Sequence, residues 1–139
     1  MRKIFYFAIL IFVSCSGLAI KENITGNYYL IATDTGDDCA LDYHEPNDEN
    51  NYAGIIGATV FAVGYNDKYI IVKQHPRVFP NPPNKEITNY FILQITDGFD
   101  WRNKSSLYGP LTLVQFNEKR KELGVPEDLQ FTKIFKDLE

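Results

Sequence analysis

"TVFAVGYNDKYIIVKQ" (Thr59–Gln74) is the stretch on which the fold turns. Two runs rich in β-branched and aromatic residues flank the polar pair Asn66-Asp67, which is the pattern of a β-hairpin. With Asn66-Asp67 as a two-residue turn, Tyr65 pairs Lys68, Val63 pairs Ile70, Phe61 pairs Val72 and Thr59 pairs Gln74. That register puts Phe61, Val63, Ile70 and Val72 on one face, the expected core, and sets Gly64 opposite Tyr69, whose ring covers the bare backbone. Lys73, Gln74 and His75 then form a polar strand end, read as solvated, with ligand contact by Lys73 and His75 as the sharper alternative.

Toward the amino terminus, Gly26–Thr33 is aromatic and β-branched and suits a strand covered on both faces. Asp34-Thr35-Gly36-Asp37 reads as its turn, Cys39–His44 as a short alternating strand, and Pro46–Asn51 as exposed loop. Toward the carboxy terminus, Pro76 and Pro80-Asn81-Pro82-Pro83-Asn84 exclude sheet pairing. Thr88–Ile95 resumes a strand, with Phe91, Leu93 and Ile95 alternating against Tyr90, Ile92 and Gln94. Asp97–Ser106 is irregular and holds the sole tryptophan, Trp101, for which packing is the default reading and a binding face the alternative.

A helix is announced next. Thr112 and Gln115 have capping-box spacing, Leu111 and Phe116 that of a hydrophobic staple, and Gly124 with Pro126 the stop. Leu113, Phe116 and Leu123 make its apolar stripe. Leu129–Phe135 returns as a final strand. The expected fold is α+β: an antiparallel sheet of about five to seven strands with a single carboxy-terminal helix followed by a final strand.

The amino terminus reads as an export signal. Arg2 and Lys3 precede the apolar run Ile4–Val13, ten residues long and about half the length needed to cross a bilayer as a helix. Two processing routes fit: cleavage after Ala19, or cleavage before Cys15 with acylation of its thiol. Phe12-Val13-Ser14-Cys15 resembles a bacterial lipobox, with Phe12 in place of the usual aliphatic residue, and this favours acylation. Residues 1–14 are then a signal peptide, 15–22 a lipid-anchored tether and 23–139 one globular domain. Ser16 in place of aspartate points to the outer membrane if the cell is Gram-negative. Asn23-Ile24-Thr25 and Asn103-Lys104-Ser105 would be glycosylation acceptors only in a eukaryotic host. With Cys15 acylated, Cys39 is the only thiol left and no internal disulfide forms, so the core alone holds the domain.

Removing residues 1–14 takes away Arg2 and Lys3 and no acid, so the formal charge moves from −4 to −6. Between Glu22 and Asp67 there are nine acidic residues and no lysine or arginine. This argues against nucleic acid and against direct adhesion to anionic lipid headgroups, and it permits a cationic partner. Asp37, Asp38, Asp42, Glu45 and Asp48 are the candidates for an acidic binding face, beside the simpler reading of a solvated loop.

Catalytic chemistry is weakly represented. In a strand over 39–44, Cys39, Leu41 and Tyr43 point one way and Asp42 and His44 the other, so Cys39 and His44 make no dyad. Neighbouring Asp37 and Asp38 disfavour the thiolate, and a buried inert thiol is expected. A metal site would need His44 and His75 to meet by folding, with nearby acids. No EF-hand loop, Gly-x-Ser-x-Gly elbow or phosphate-binding glycine loop is present, and no cofactor is expected.

"GIIGATVFAVGYNDKYIIVKQHP", "ITNYFIL" and "YGPLTLVQFNEKRKELGVPEDLQF" together resemble small bacterial lipoproteins grouped as a domain of unknown function. The approach to the helix, Tyr108-Gly109-Pro110-Leu111, is the most specific piece. The resemblance implies a bacterial envelope protein and carries no catalytic residues. The expected function is that of a non-catalytic envelope lipoprotein, held to the bilayer by acylated Cys15 and binding or inhibiting a cationic secreted protein. The alternative is a small metal-dependent enzyme or metal-binding protein using His44 and His75.

Overall fold

The computed structural model describes residues 19–101 and 104–139. Residues 1–14, expected as a signal peptide, and Cys15, the expected acylation site, lie outside the described residues. Nine strands occur among those described, β1 (Ile20–Thr25), β2 (Tyr28–Ala32), β3 (Ala40–His44), β4 (Tyr52–Ile56), β5 (Val60–Tyr65), β6 (Tyr69–Gln74), β7 (Asn89–Gln94), β8 (Leu107–Leu111) and β9 (Lys133–Ile134), with one α-helix, α1 (Leu113–Leu123), between β8 and β9. They form two antiparallel sheets, β1-β2-β3-β4 and β8-β7-β6-β5-β9. The α+β class and the helix followed by a final strand are as expected. The strands, however, number nine, and they make two sheets instead of one.

The sheets pack face to face. Leu30, Leu41, Tyr43 and Ile56 of the first meet Phe61, Val63, Ile70, Val72 and Leu93 of the second in one buried cluster. The opposite face of the second sheet packs Tyr69, Ile71 and Ile92 against Phe116, Val125 and Leu129. The second sheet is thus the middle layer of three, which explains why the central hairpin is apolar on both faces.

The hairpin face is as read, but its register differs by two residues. Tyr65 pairs Ile70, Gly64 pairs Ile71 and Val63 pairs Val72, with a bulge between Val60 and Ala62. The cause lies in the turn: Asn66 Oδ1 accepts the N–H groups of Lys68 and Tyr69, both at 2.8 Å, and Asn66 N–H donates to Tyr69 O at 3.0 Å. Asp67-Lys68 therefore occupies the turn. A slip of two preserves which face each side chain takes. Gly64 is covered not by Tyr69 but by the return segment, whose Gln130 carbonyl would lie 2.0 Å from an added Cβ.

Ile20, Lys21 and Glu22, expected to be tether, pair instead with Ala32, Ile31 and Leu30 in β1. β4 carries Gly54 and was not expected from the sequence pattern. β8 contains Gly109 and Pro110, tolerated because it is an edge strand. In α1 the capping box is formed in both directions, Gln115 N–H to Thr112 Oγ1 at 3.3 Å and Thr112 N–H to Gln115 Oε1 at 2.9 Å. Gly124 ends the helix at φ 70°, a left-handed conformation that glycine adopts without strain. The apolar stripe is narrower than read: Phe116 is buried, Leu123 is half-buried and Leu113 is exposed. Val125 and Leu129 of the return segment fill the space instead. Of the final strand expected over Leu129–Phe135, only Lys133-Ile134 pairs, against Val63-Ala62.

No helix among the described residues is long and apolar enough to cross a membrane.

Candidate functional site: an aromatic groove at one pole

The strands define two poles. β1 begins, and β2 ends, at the first; Glu45 follows β3 at the second, beside the β1–β2 turn at Gly26-Asn27. A groove of about 580 Å³ opens at the second pole between the sheets, lined among others by Tyr28, Tyr43, Glu45, Asp97, Phe99 and Trp101. Its size falls within the usual range for ligand sites.

The period-2 alternation of β3 turns Tyr43 inward, where it meets Tyr28 edge-on at 5.2 Å between ring centroids. The irregular segment after β7 folds back over this pair. Phe99 and Trp101 meet edge-on at 4.6 Å, and Tyr43 lies 6.3 Å from Trp101. The indole Nε1–H donates to Glu45 Oε1 at 2.8 Å. Trp101 thus packs and lines the groove together, with its polar edge fixed by a carboxylate. Beneath the groove, the Tyr28 hydroxyl is buried with no hydrogen-bond partner among the described residues. Burial, with Tyr43 beside it, pushes that phenol up to about 12, so it stays neutral. A carboxylate set among aromatic rings suits a cationic group, which gains both charge pairing and the attraction of ring faces.

The other candidate residues take separate places. Asp38 pairs with Arg77, and that contact, with N–H donation from Thr35, holds its carboxyl below the usual range. The Asp37 carbonyl accepts the Thr59 hydroxyl at 2.5 Å. Asp42 stands on the outer face of the first sheet opposite Gly54, and burial raises its carboxyl. Asp48 Oδ1 accepts from Asn50 N–H at 3.2 Å within its loop. The five acids therefore do not share one face. β3 lies between Asp38 and Glu45, and a strand of that length holds its ends about 17 Å apart. Only Glu45 of the five lines the groove, joined by Asp97.

The polar tip is also not solvated. Gln74 is buried, donating to Gly57 O at 2.8 Å and accepting from Asn89 Nδ2 at 3.0 Å. His75 is buried, stacked on Phe61 at 4.1 Å, with its Nδ1 at 2.7 Å from Ile87 O. Lys73 Nζ sits 4.8 Å over the Phe131 ring on the helix side of the second sheet. His44 lies on the first sheet, 4.7 Å from the Tyr52 ring. His44 ends β3 in the first sheet and His75 follows β6 of the second, and among the described residues no three His, Cys, Asp or Glu side chains gather as metal ligands. Cys39 is buried, and desolvation with help from Asp42 and Glu22 raises its thiol to about 12, so it is inert.

Tyr28, Tyr43, Phe99 and Asp97 were not expected from the sequence as groove residues. The one usable signal was a lone tryptophan in an irregular segment. No curated protein and no solved structure matches the chain. A family model does match, over residues 25–135, and the chain accordingly belongs to the family described as protein of unknown function DUF3997.

Proposed function

We propose that this protein is a lipid-anchored, non-catalytic envelope protein whose groove receives a cationic group of a protein partner. In this reading residues 1–14 are removed, Cys15 is acylated, and the chain enters the fold at Ile20. The observation that carries the reading is the Glu45–Trp101 pair at the pole opposite Ile20. An anchor at one pole turns the groove away from the bilayer, toward diffusing partners. The run of acids without a basic residue from Glu22 to Asp67 adds long-range attraction for a cation, screened over about 10 Å at 0.1 M salt.

The test is capture from native envelope and culture fluid by residues 16–139, wild type and Glu45→Gln in parallel, at low and high salt. A basic protein held at low salt by the wild type and lost from the variant supports the reading. Equal capture by both, or capture indifferent to salt, contradicts it.

A further inference from the structure

The loop Pro76–Asn84 joins β6 to β7 at the first pole and carries the two most exposed of the large apolar side chains described, Phe79 at 80% and Val78 at 77% exposure. The loop is built to hold them. Asn81 N–H donates to Val78 O and Asn84 N–H to Pro76 O, both at 2.9 Å, and Arg77 Nε donates to Asn81 O at 2.9 Å. The Arg77 guanidinium pairs with Asp38 and lies 5.8 Å from the Phe79 ring centroid. Pro80, Pro82 and Pro83 bring no N–H that would need a partner. Residues 76–84 contain no carboxylate. An apolar tip on a loop braced by these bonds is suited to the boundary between headgroups and acyl chains.

We infer that Val78 and Phe79 dip into the leaflet that holds the acylated Cys15, so that the domain meets the membrane at two points and has a fixed orientation on it. The inference rests on the anchoring reading above. Its occupant follows from the length of chain available. The five residues from Cys15 to Ile20 span at most about 18 Å. Ile20 pairs with Ala32, Asp34 N–H donates to Asp38 Oδ2 at 3.3 Å, and Asp38 pairs with Arg77, next to Val78. The anchor therefore enters the fold at the same pole as this loop, and the bilayer is presented to Val78 and Phe79 at high effective concentration. Since the contact is apolar, salt leaves it in place, unlike the groove's attraction for cations.

The experiment uses the full acylated chain in phosphatidylcholine–phosphatidylglycerol vesicles. Emission of Phe79→Trp is read against the parent, since both carry Trp101, and acylation is read by mass. Brominated lipid should quench the added indole at low and high salt. Aqueous iodide should quench it roughly tenfold less than in unanchored Cys15→Ser protein carrying the same Phe79→Trp change, as expected for burial of one aromatic side chain. Acylated, vesicle-bound protein whose added indole is open to iodide and untouched by bromine overturns the dipping loop and leaves the anchor standing. Absence of acyl mass on Cys15 overturns both. Shielding from iodide that grows with protein concentration, without quenching by bromine, means that a second copy covers the loop and also overturns the inference.

Discussion

Gly64→Ala probes the least expected contact in the fold. Gly64 is buried in β5, and an added Cβ would sit 2.0 Å from the Gln130 carbonyl oxygen, 2.8 Å from its carbon and 3.2 Å from Ile71 Cγ1. The first two atoms are backbone and cannot rotate away, so the return segment has to move by at least the difference between 2.0 Å and the 3.0 Å below which such contacts do not occur. That segment is held to β5 by Thr132 N–H to Val63 O at 3.1 Å and Phe135 N–H to Phe61 O at 2.8 Å. Loss of both costs about 2 kcal/mol, and strain in the packing around Phe131 adds about 1 kcal/mol. A destabilisation of about 3 kcal/mol lowers the urea midpoint by about 1.5 M for a domain of this size. Gly54→Ala is the control, because its Cβ would meet only Asp42 Oδ1 at an ordinary 3.7 Å, and it should stay within about 0.5 kcal/mol of the parent. If the two alanine variants unfold at the same urea concentration, the return segment does not cover Gly64 and the reasoning fails.

The remaining predictions follow the polar contacts. Tyr69→Phe removes the hydroxyl donated to Leu123 O at 2.7 Å and should cost about 1 kcal/mol in urea unfolding; no change would mean that this bond does not tie the helix end to the sheet. The Cys39 thiol, buried and raised to about 12, should react with a thiol reagent only as fast as the domain unfolds, and reductant should leave the melting temperature unchanged; rapid reaction in the native state would contradict its burial. The Asp38 carboxyl is held low by Arg77, so its stabilisation is full above the usual carboxylate range and is lost as pH falls through its folded value. Asp38→Asn should therefore flatten the acid limb of the stability profile and cost about 1–2 kcal/mol near neutrality. Asp42 has the opposite sign, since burial raises its carboxyl and makes the charged form a cost. Asp42→Asn should be more stable than the parent near neutrality, with the gain vanishing as pH drops below the carboxylate range.

What was legible in the sequence was what neighbours in sequence decide. The capping box of Thr112 and Gln115 and the stop at Gly124 depend on residues within one turn of each other. The inward set Phe61, Val63, Ile70 and Val72 depends only on a period of two, which survived a register slip of two. The slip itself was hidden, because Asn66 supplies a side-chain acceptor and leaves the turn to Asp67-Lys68. β4 and β8 were missed because Gly54, Gly109 and Pro110 weaken a strand pattern that edge position and sheet pairing then rescue. Lys73, Gln74 and His75 look like a solvated end, and only the arrival of Gly57, Asn89, Ile87 and Phe131 buries or covers them. The groove was least legible of all. Tyr28, Tyr43, Glu45, Phe99 and Trp101 come from three separate segments and meet only through topology.

In the proposed function the two poles divide the labour. Strands of about six residues set the poles about 20 Å apart, with chain entry and an apolar loop at one and an acidic aromatic groove at the other. The proposed function depends on the groove's chemistry, and Trp101, the only tryptophan in the chain, lies in the groove.

The most direct measurement is accordingly a titration of Trp101 fluorescence in residues 16–139 with a short lysine- and arginine-rich peptide. A cation-binding groove gives a saturable change that weakens with salt, is lost in Glu45→Gln and is absent with an acidic peptide of the same length. An emission spectrum that stays unchanged at millimolar peptide, or that changes equally in Glu45→Gln, would contradict it.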